Sequence, residues 1–124
     1  MKLFSLAFFL SALISFNAFG GNLSESMPVE QQLAVLDSDY GVDWKDKKTI
    51  YEYSKMLDKL MRQYEGTREE IADQTSRIQG VLKDSGIKMT TMDIMRDIDQ
   101  GKPAKTKVPY KEFAPLYLML KIKQ

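Results

Sequence analysis

The chain has 124 residues, of which 18 are basic and 17 acidic, and it contains neither cysteine nor histidine. Without these two residue types there is no thiol nucleophile, no serine–histidine–aspartate triad, no disulfide framework and no ordinary zinc site. The hydrophobic fraction of 44% is close to that of globular proteins. Length and composition therefore predict one small domain with a packed core.

The N-terminus has the three parts of a secretory signal peptide. Lys2 supplies positive charge, residues 3–16 form an uncharged apolar run, and Ala18 and Gly20 are small residues at the cleavage positions. We predict cleavage after Gly20, with a mature domain at residues 21–124. An uncleaved anchor is the weaker alternative, because the run is shorter than the ~20 residues that span a bilayer. Since small eukaryotic secreted domains usually depend on disulfides, the composition favours a bacterial periplasmic or secreted protein.

Charge is distributed unevenly along the predicted mature domain. Residues 21–44 contain five acidic side chains and no basic one, whereas residues 102–124 contain six lysines and a single glutamate. The two segments either neutralise each other in the fold or form separate binding surfaces. Nucleic-acid binding is not expected of an exported chain whose charges balance.

Apolar residues recur with helical spacing through most of the mature domain. Pro28 suits the first turn of a helix, and Asp43 suits the N-cap of a second. Thr67 and Glu70 match a capping box that begins a third. The predicted fold is all-α, a single-domain bundle of four to five helices at residues 28–37, 44–65, 68–84, 91–100 and 110–123.

The last of these segments is apolar on nearly all sides. Short apolar runs do not distinguish a helix from a strand, so residues 116–122 are open to either assignment. As a helix, the segment is interpreted as the central core element of the bundle, because a small bundle needs one well-buried helix. Lys121 and Lys123 would then stabilise the C-terminal end of its helix dipole.

Acidic and aromatic residues near the first predicted turn indicate a surface for a protein partner. Trp44 and Tyr51 lie seven residues apart on one helical stripe, and Trp and Tyr commonly anchor protein interfaces. The alternative is that both pack on a neighbouring helix. A small bundle without histidine leaves little room for a catalytic cleft, so we predict a non-enzymatic, inhibitor- or immunity-type module without a cofactor. Its predicted partner-binding residues are Asp37, Asp39, Tyr40, Trp44 and Tyr51.

The basic C-terminal segment supports an alternative function at an anionic membrane surface. Lysines flank an aromatic-rich predicted helix, a combination that suits peripheral binding to anionic lipid. The residues for this alternative are Lys102, Lys105, Lys107 and Lys111.

A second alternative rests on three methionines spaced three residues apart, Met89, Met92 and Met95. On one helix face, three thioethers would suit Cu(I), which the periplasm handles. The same spacing is typical of core packing, where methionine fills irregular gaps. The sequence leaves the partner and the oligomeric state open.

Overall fold

The computed structural model describes residues 27–123. The predicted signal peptide at residues 1–20 lies outside the described residues, as do residues 21–26 and 124. Residues 27–123 form five α-helices, one 3₁₀ helix and two strands of two residues each. The predicted all-α class is confirmed.

The helices follow one another through short connections. In chain order they are α1 (Val29–Leu36), the 3₁₀ helix (Asp37–Tyr40), α2 (Lys47–Gln63), α3 (Arg68–Asp84), α4 (Thr91–Ile98) and α5 (Tyr110–Lys123). Strand β1 (Tyr64–Glu65) directly follows α2, and strand β2 (Val108–Pro109) directly precedes α5. The two strands pair in parallel, with Tyr64 opposite Val108.

Local capping interactions define the starts of α2 and α3. The Thr67 hydroxyl accepts a hydrogen bond from the Glu70 N–H (3.1 Å) and the Glu70 carboxylate accepts one from the Thr67 N–H (2.8 Å), which confirms the capping box. The predicted N-cap of α2 is wrong by three residues. Asp46, not Asp43, caps this helix by accepting from the Thr49 N–H at 3.0 Å. The reason is a separate turn at residues 43–46, closed by a hydrogen bond of 3.2 Å from the Asp46 N–H to the Asp43 carbonyl.

The core lies where α1, α2, α3 and α4 meet. Its fully buried side chains come from all four helices and include Leu33, Leu57, Leu60, Ile71, Leu82 and Ile94. Tyr64, in strand β1, connects this core to α5. Its ring makes an edge contact with the ring of Tyr110 (centroids 5.4 Å apart) and a tilted contact with that of Phe113 (5.3 Å).

The last segment is a helix, but it is not the central element of the bundle. α5 packs mainly on α3, and Tyr110 and Ala114 are its buried residues. The opposite face exposes four large apolar side chains, which are Leu116, Met119, Leu120 and Ile122. The interpretation of α5 as the core helix is therefore wrong. The buried centre is already filled by the other four helices, and the β1–β2 pairing brings α5 against only one side of them.

Candidate functional site

Asp37, the first predicted partner-binding residue, is fully buried at the start of the 3₁₀ helix. Its carboxyl group accepts hydrogen bonds from the Thr91 N–H (2.8 Å) and hydroxyl (2.7 Å), and from the Met92 N–H (3.3 Å). The Tyr53 hydroxyl (2.5 Å) and the Gln79 side-chain amide (2.9 Å) complete the set of donors. Its predicted role in partner binding is wrong, because the carboxyl group faces α2, α3 and α4 instead of the surface.

The other four residues of the predicted surface differ in exposure. Asp39 is exposed, and Tyr40 and Trp44 are half-buried. Trp44 packs against the edge of the core, as in the alternative considered for it, and the Lys45 ammonium lies 5.3 Å from its ring centroid. Tyr51 is 61% exposed. The predicted set of five is thus divided between the interior and the surface, and Tyr51 is the member most available to a partner.

The three methionines do not share one helix face. α4 begins at Thr91, so Met89 lies in the preceding segment and the helical spacing does not extend to it. Met95 is fully buried in the core, and Met92 is 7% exposed. Met92 and Met95 belong to the core and Met89 packs against it, as the packing alternative predicts, and the arrangement gives no support to a three-thioether copper site.

The four lysines of the membrane alternative are all exposed. The ammonium group of Lys107 donates to the Met61 carbonyl at 3.0 Å, which holds the loop before β2 against the end of α2. Among residues 27–123, no carboxylate lies within ion-pair distance of Lys102, Lys105 or Lys111. These three charges are therefore available to an anionic surface.

The exposed apolar side chains of α5 form the largest such group in the described part of the chain. Leu116, Met119, Leu120 and Ile122 are 43 to 66% exposed, and we call them the apolar face of α5. The opposite side of the helix is attached to α4 through Asp97, which accepts hydrogen bonds from the Tyr117 hydroxyl (2.8 Å) and the Lys121 ammonium (3.1 Å). This attachment fixes the rotation of α5 and so directs its apolar face outward. Sequence analysis missed the face, because the whole segment is apolar and does not show which side is covered.

A second surface feature is a groove of about 430 Å³ between α2 and α4. Its lining combines four basic, two acidic and two methionine side chains, which are Lys55, Lys59, Arg62, Arg96, Glu52, Asp58, Met56 and Met92. Sequence analysis also missed this groove. The spacing of residues 55, 59 and 62 places three cations on one face of α2, but nothing local indicates that Arg96 of α4 lies opposite them.

Across the part of the chain that the structure describes, no three acidic side chains are grouped so that they could hold a metal ion. Within residues 27–123, no helix combines the length and apolar character needed to cross a bilayer.

Comparison of the whole chain with family models, with curated proteins and with solved structures finds no match. The surfaces of this chain are therefore the basis for its proposed function.

Proposed function

We propose that the protein is a non-enzymatic, exported module that attaches to an anionic membrane surface through the apolar face of α5. The observation that carries the proposal is the outward exposure of Leu116, Met119, Leu120 and Ile122 on a helix whose other side is held by Asp97 and Tyr110. Exposed apolar patches on small proteins commonly mark an interaction site.

The size of the face favours a lipid surface over a second protein molecule. Four side chains that are each about half exposed amount to an apolar patch on the order of 400 Å², the size of the largest patch on many monomers. A stable protein interface buries roughly 800 Å² on each partner. A bilayer interface has no such threshold, since it accepts the apolar side chains of a single helix lying in its plane.

Lysines near α5 supply the electrostatic part of the proposed attachment. Lys111 and Lys123 belong to the helix, and Lys102 and Lys105 lie in the loop before β2. Each lysine close to an anionic surface contributes about 1 kcal/mol. Their apolar stems can lie along the interface while the ammonium groups reach the lipid phosphates.

The test is sedimentation with vesicles of 30% phosphatidylglycerol and 70% phosphatidylcholine. The protein is isolated after export from a bacterial host, and mass spectrometry determines its N-terminus, which also tests cleavage after Gly20. We expect binding at low salt that falls at least tenfold at 0.5 M salt, because salt screens the lysines. The double variant Leu116→Glu with Leu120→Glu should lose binding, since it places two charges in the apolar face.

Tyr51→Glu is the matched control, because it introduces the same side chain at an exposed aromatic position on α2. It should bind vesicles as the original chain does. Both variants share one N-terminus, so any contribution from residues 1–20 is common to them. Vesicle binding that is equal for the double variant and the control would show that α5 is not the attachment site.

The predicted protein-partner surface is supported less well by the geometry. Asp37 is buried and Trp44 contributes to the core edge, which leaves Asp39, Tyr40 and Tyr51. Of these, Tyr51 is adjacent to the groove between α2 and α4, since its ring contacts Lys55 of the groove lining.

A further inference from the structure

We infer that the groove between α2 and α4 binds an extended acidic peptide of a partner protein, an activity separate from the proposed attachment of α5 to membranes. The groove is formed by side chains of two helices that contact each other in the fold, and α4 is additionally linked to α2 through Asp37, which accepts hydrogen bonds from both Tyr53 and Thr91. It is therefore a pre-formed surface feature.

The groove is lined by more cations than carboxylates, and its ion pairs leave this positive excess unchanged. The Asp58 carboxylate forms an ion pair with the Arg68 guanidinium (2.6 Å), and the Lys59 ammonium forms one with the Asp99 carboxylate (3.5 Å). These two charges of the groove are therefore already compensated. In the described range 27–123, no carboxylate lies within ion-pair distance of Lys55, Arg62 or Arg96. Three exposed cations thus face the groove, against the single carboxylate of Glu52.

The bottom of the groove is apolar. Met92 is 7% exposed and Met56 is half-buried, and both contribute to the lining. Methionine side chains are flexible and polarizable, and they adapt to apolar side chains of different shapes. Cations at the rim and thioethers below them fit a ligand that combines carboxylates with an apolar group. A small inorganic anion would use the cations and leave the methionines without a contact.

The spacing of the cations indicates the length of the ligand. Lys55 and Arg62 are seven residues apart on α2, which corresponds to ~10 Å along the helix axis. A peptide in the extended polyproline II conformation advances ~3.1 Å per residue with three residues per turn, so side chains three positions apart lie on one side of it, ~9 Å from each other. A peptide with two carboxylates three residues apart and an apolar residue between them would therefore meet both cations.

Tyr51 extends this surface beyond the end of the groove. It lies one helical turn before Lys55, whose ammonium is 5.0 Å from the Tyr51 ring centroid. An exposed aromatic ring beside a cationic groove is a common anchor for a protein segment. Arg96 on α4 and Arg62 on α2 offer guanidinium groups, which bind carboxylates with two parallel hydrogen bonds.

The test is a titration of the isotope-labelled, exported protein with the blocked peptide acetyl-Gly-Glu-Leu-Ser-Glu-Gly-amide, followed by amide NMR spectra. We expect shifts confined to residues 51–62 and 92–96, and a dissociation constant that rises at least fivefold between 0.05 and 0.3 M salt. The double variant Arg62→Glu with Arg96→Glu should weaken binding at least tenfold. Lys83→Glu with Lys88→Glu is the matched control, since it reverses the same number of charges at exposed positions that do not line the groove.

Two outcomes would contradict the inference. The same peptide with glutamine in place of glutamate should not bind. Equal binding of both peptides would show that apolar contacts alone hold the peptide and that the cations of the groove do not recognise its carboxylates. Loss of vesicle binding in the Arg62→Glu, Arg96→Glu variant, with no peptide-induced shifts, would assign the groove to the membrane surface instead. All the substituted arginine and lysine side chains are exposed, so we expect each variant to fold. Circular dichroism of each variant tests this expectation.

Discussion

Asp37 connects four parts of the chain through one buried carboxyl group. It begins the 3₁₀ helix and accepts hydrogen bonds from Tyr53 of α2, Gln79 of α3 and Thr91 of α4. Burial of a carboxyl group is costly unless hydrogen bonds replace those to water, and five donors do so here. Two of the donors are backbone N–H groups at the start of α4, which has only eight residues and depends on such contacts.

We therefore expect Asp37→Ala to lower the free energy of unfolding by about 3 kcal/mol or more, because it leaves several buried donors without acceptors. Urea unfolding followed by circular dichroism measures this, and faster hydrogen exchange in α4 should accompany it. Asp39→Ala, at an exposed position two residues away, is the control and should change stability by less than ~0.5 kcal/mol. Similar losses in the two variants would mean that the hydrogen bonds to Asp37 contribute little.

α5 contains a proline that its packing tolerates. Pro115 lies inside the helix and has no N–H to donate to the Lys111 carbonyl, four residues earlier. Proline in a helix interior is about 3 kcal/mol less favourable than alanine. It also restricts the unfolded chain, which offsets that cost by ~0.4–1 kcal/mol. The contacts of Tyr110 and Phe113 with Tyr64 are among those that hold α5 in place despite the missing hydrogen bond.

Pro115→Ala should therefore raise the free energy of unfolding by about 2 kcal/mol, since the helical gain exceeds the loss of chain restriction. Pro103→Ala is the matched control in the loop before β2, where no helical hydrogen bond can be restored. It should lower stability by a few tenths of a kcal/mol. Chemical denaturation of both variants gives the comparison. Changes of the same sign would show that Pro115 does not strain α5.

Stability of the whole bundle should depend on pH at both extremes. Burial, followed by the hydrogen bond to Asp37 and the charge of Asp37, raises the pKa of the Tyr53 hydroxyl above its ordinary value of about 10. Burial also raises the pKa of Tyr110. Above pH 10 the unfolded chain loses these protons while the folded chain keeps them, so stability present below pH 10 is lost as the pH rises. The slope is about 1.4 kcal/mol per pH unit for each tyrosine.

At acid pH the dependence of stability on pH has the opposite sign. The hydrogen bond from Gln63 lowers the pKa of Asp99, with further lowering by the Gly101 N–H and by Lys59. The stability from Asp99 is therefore present above the unfolded-state pKa of about 4 and is lost as the pH falls below it.

Urea unfolding at intervals between pH 3 and pH 11 measures both effects. Tyr110→Phe should reduce the alkaline slope by about 1.4 kcal/mol per pH unit, because the variant has no proton at this position to retain. Asp99→Asn should flatten the acid side and leave the alkaline side as it was. An alkaline slope unchanged by Tyr110→Phe would contradict the assignment of that slope to buried tyrosines.

The helices were predictable to different degrees. The bounds of α3 agree with the prediction because both of its N-terminal signals, Thr67 and Glu70, lie within one helical turn. α2 ends earlier than predicted, because Tyr64 leaves the helix to pair with Val108 in a strand contact between distant parts of the chain. No periodicity within residues 44–65 indicates that contact.

The candidate surfaces were harder to predict than the helices, because they depend more on contacts between residues distant in the sequence. The lysines near the C-terminus and the exposed Tyr51 were predicted from residue type, whereas the outward side of α5 follows from contacts such as that of Asp97 with Tyr117. The convergence of Lys55, Arg62 and Arg96 likewise requires α4 to lie beside α2.

The sequence alone therefore determines which segments are helical, where most helices end and how charge is distributed, because these features depend on residues within about four positions of one another. Burial is a property of the packed molecule. Asp37 is acidic in any reading of the sequence, but it is a core residue only because Thr91, 54 positions away, presents its N–H and hydroxyl to it. Similarly, the sequence shows that α5 is apolar, but only its packing against α3 determines which of its faces is exposed.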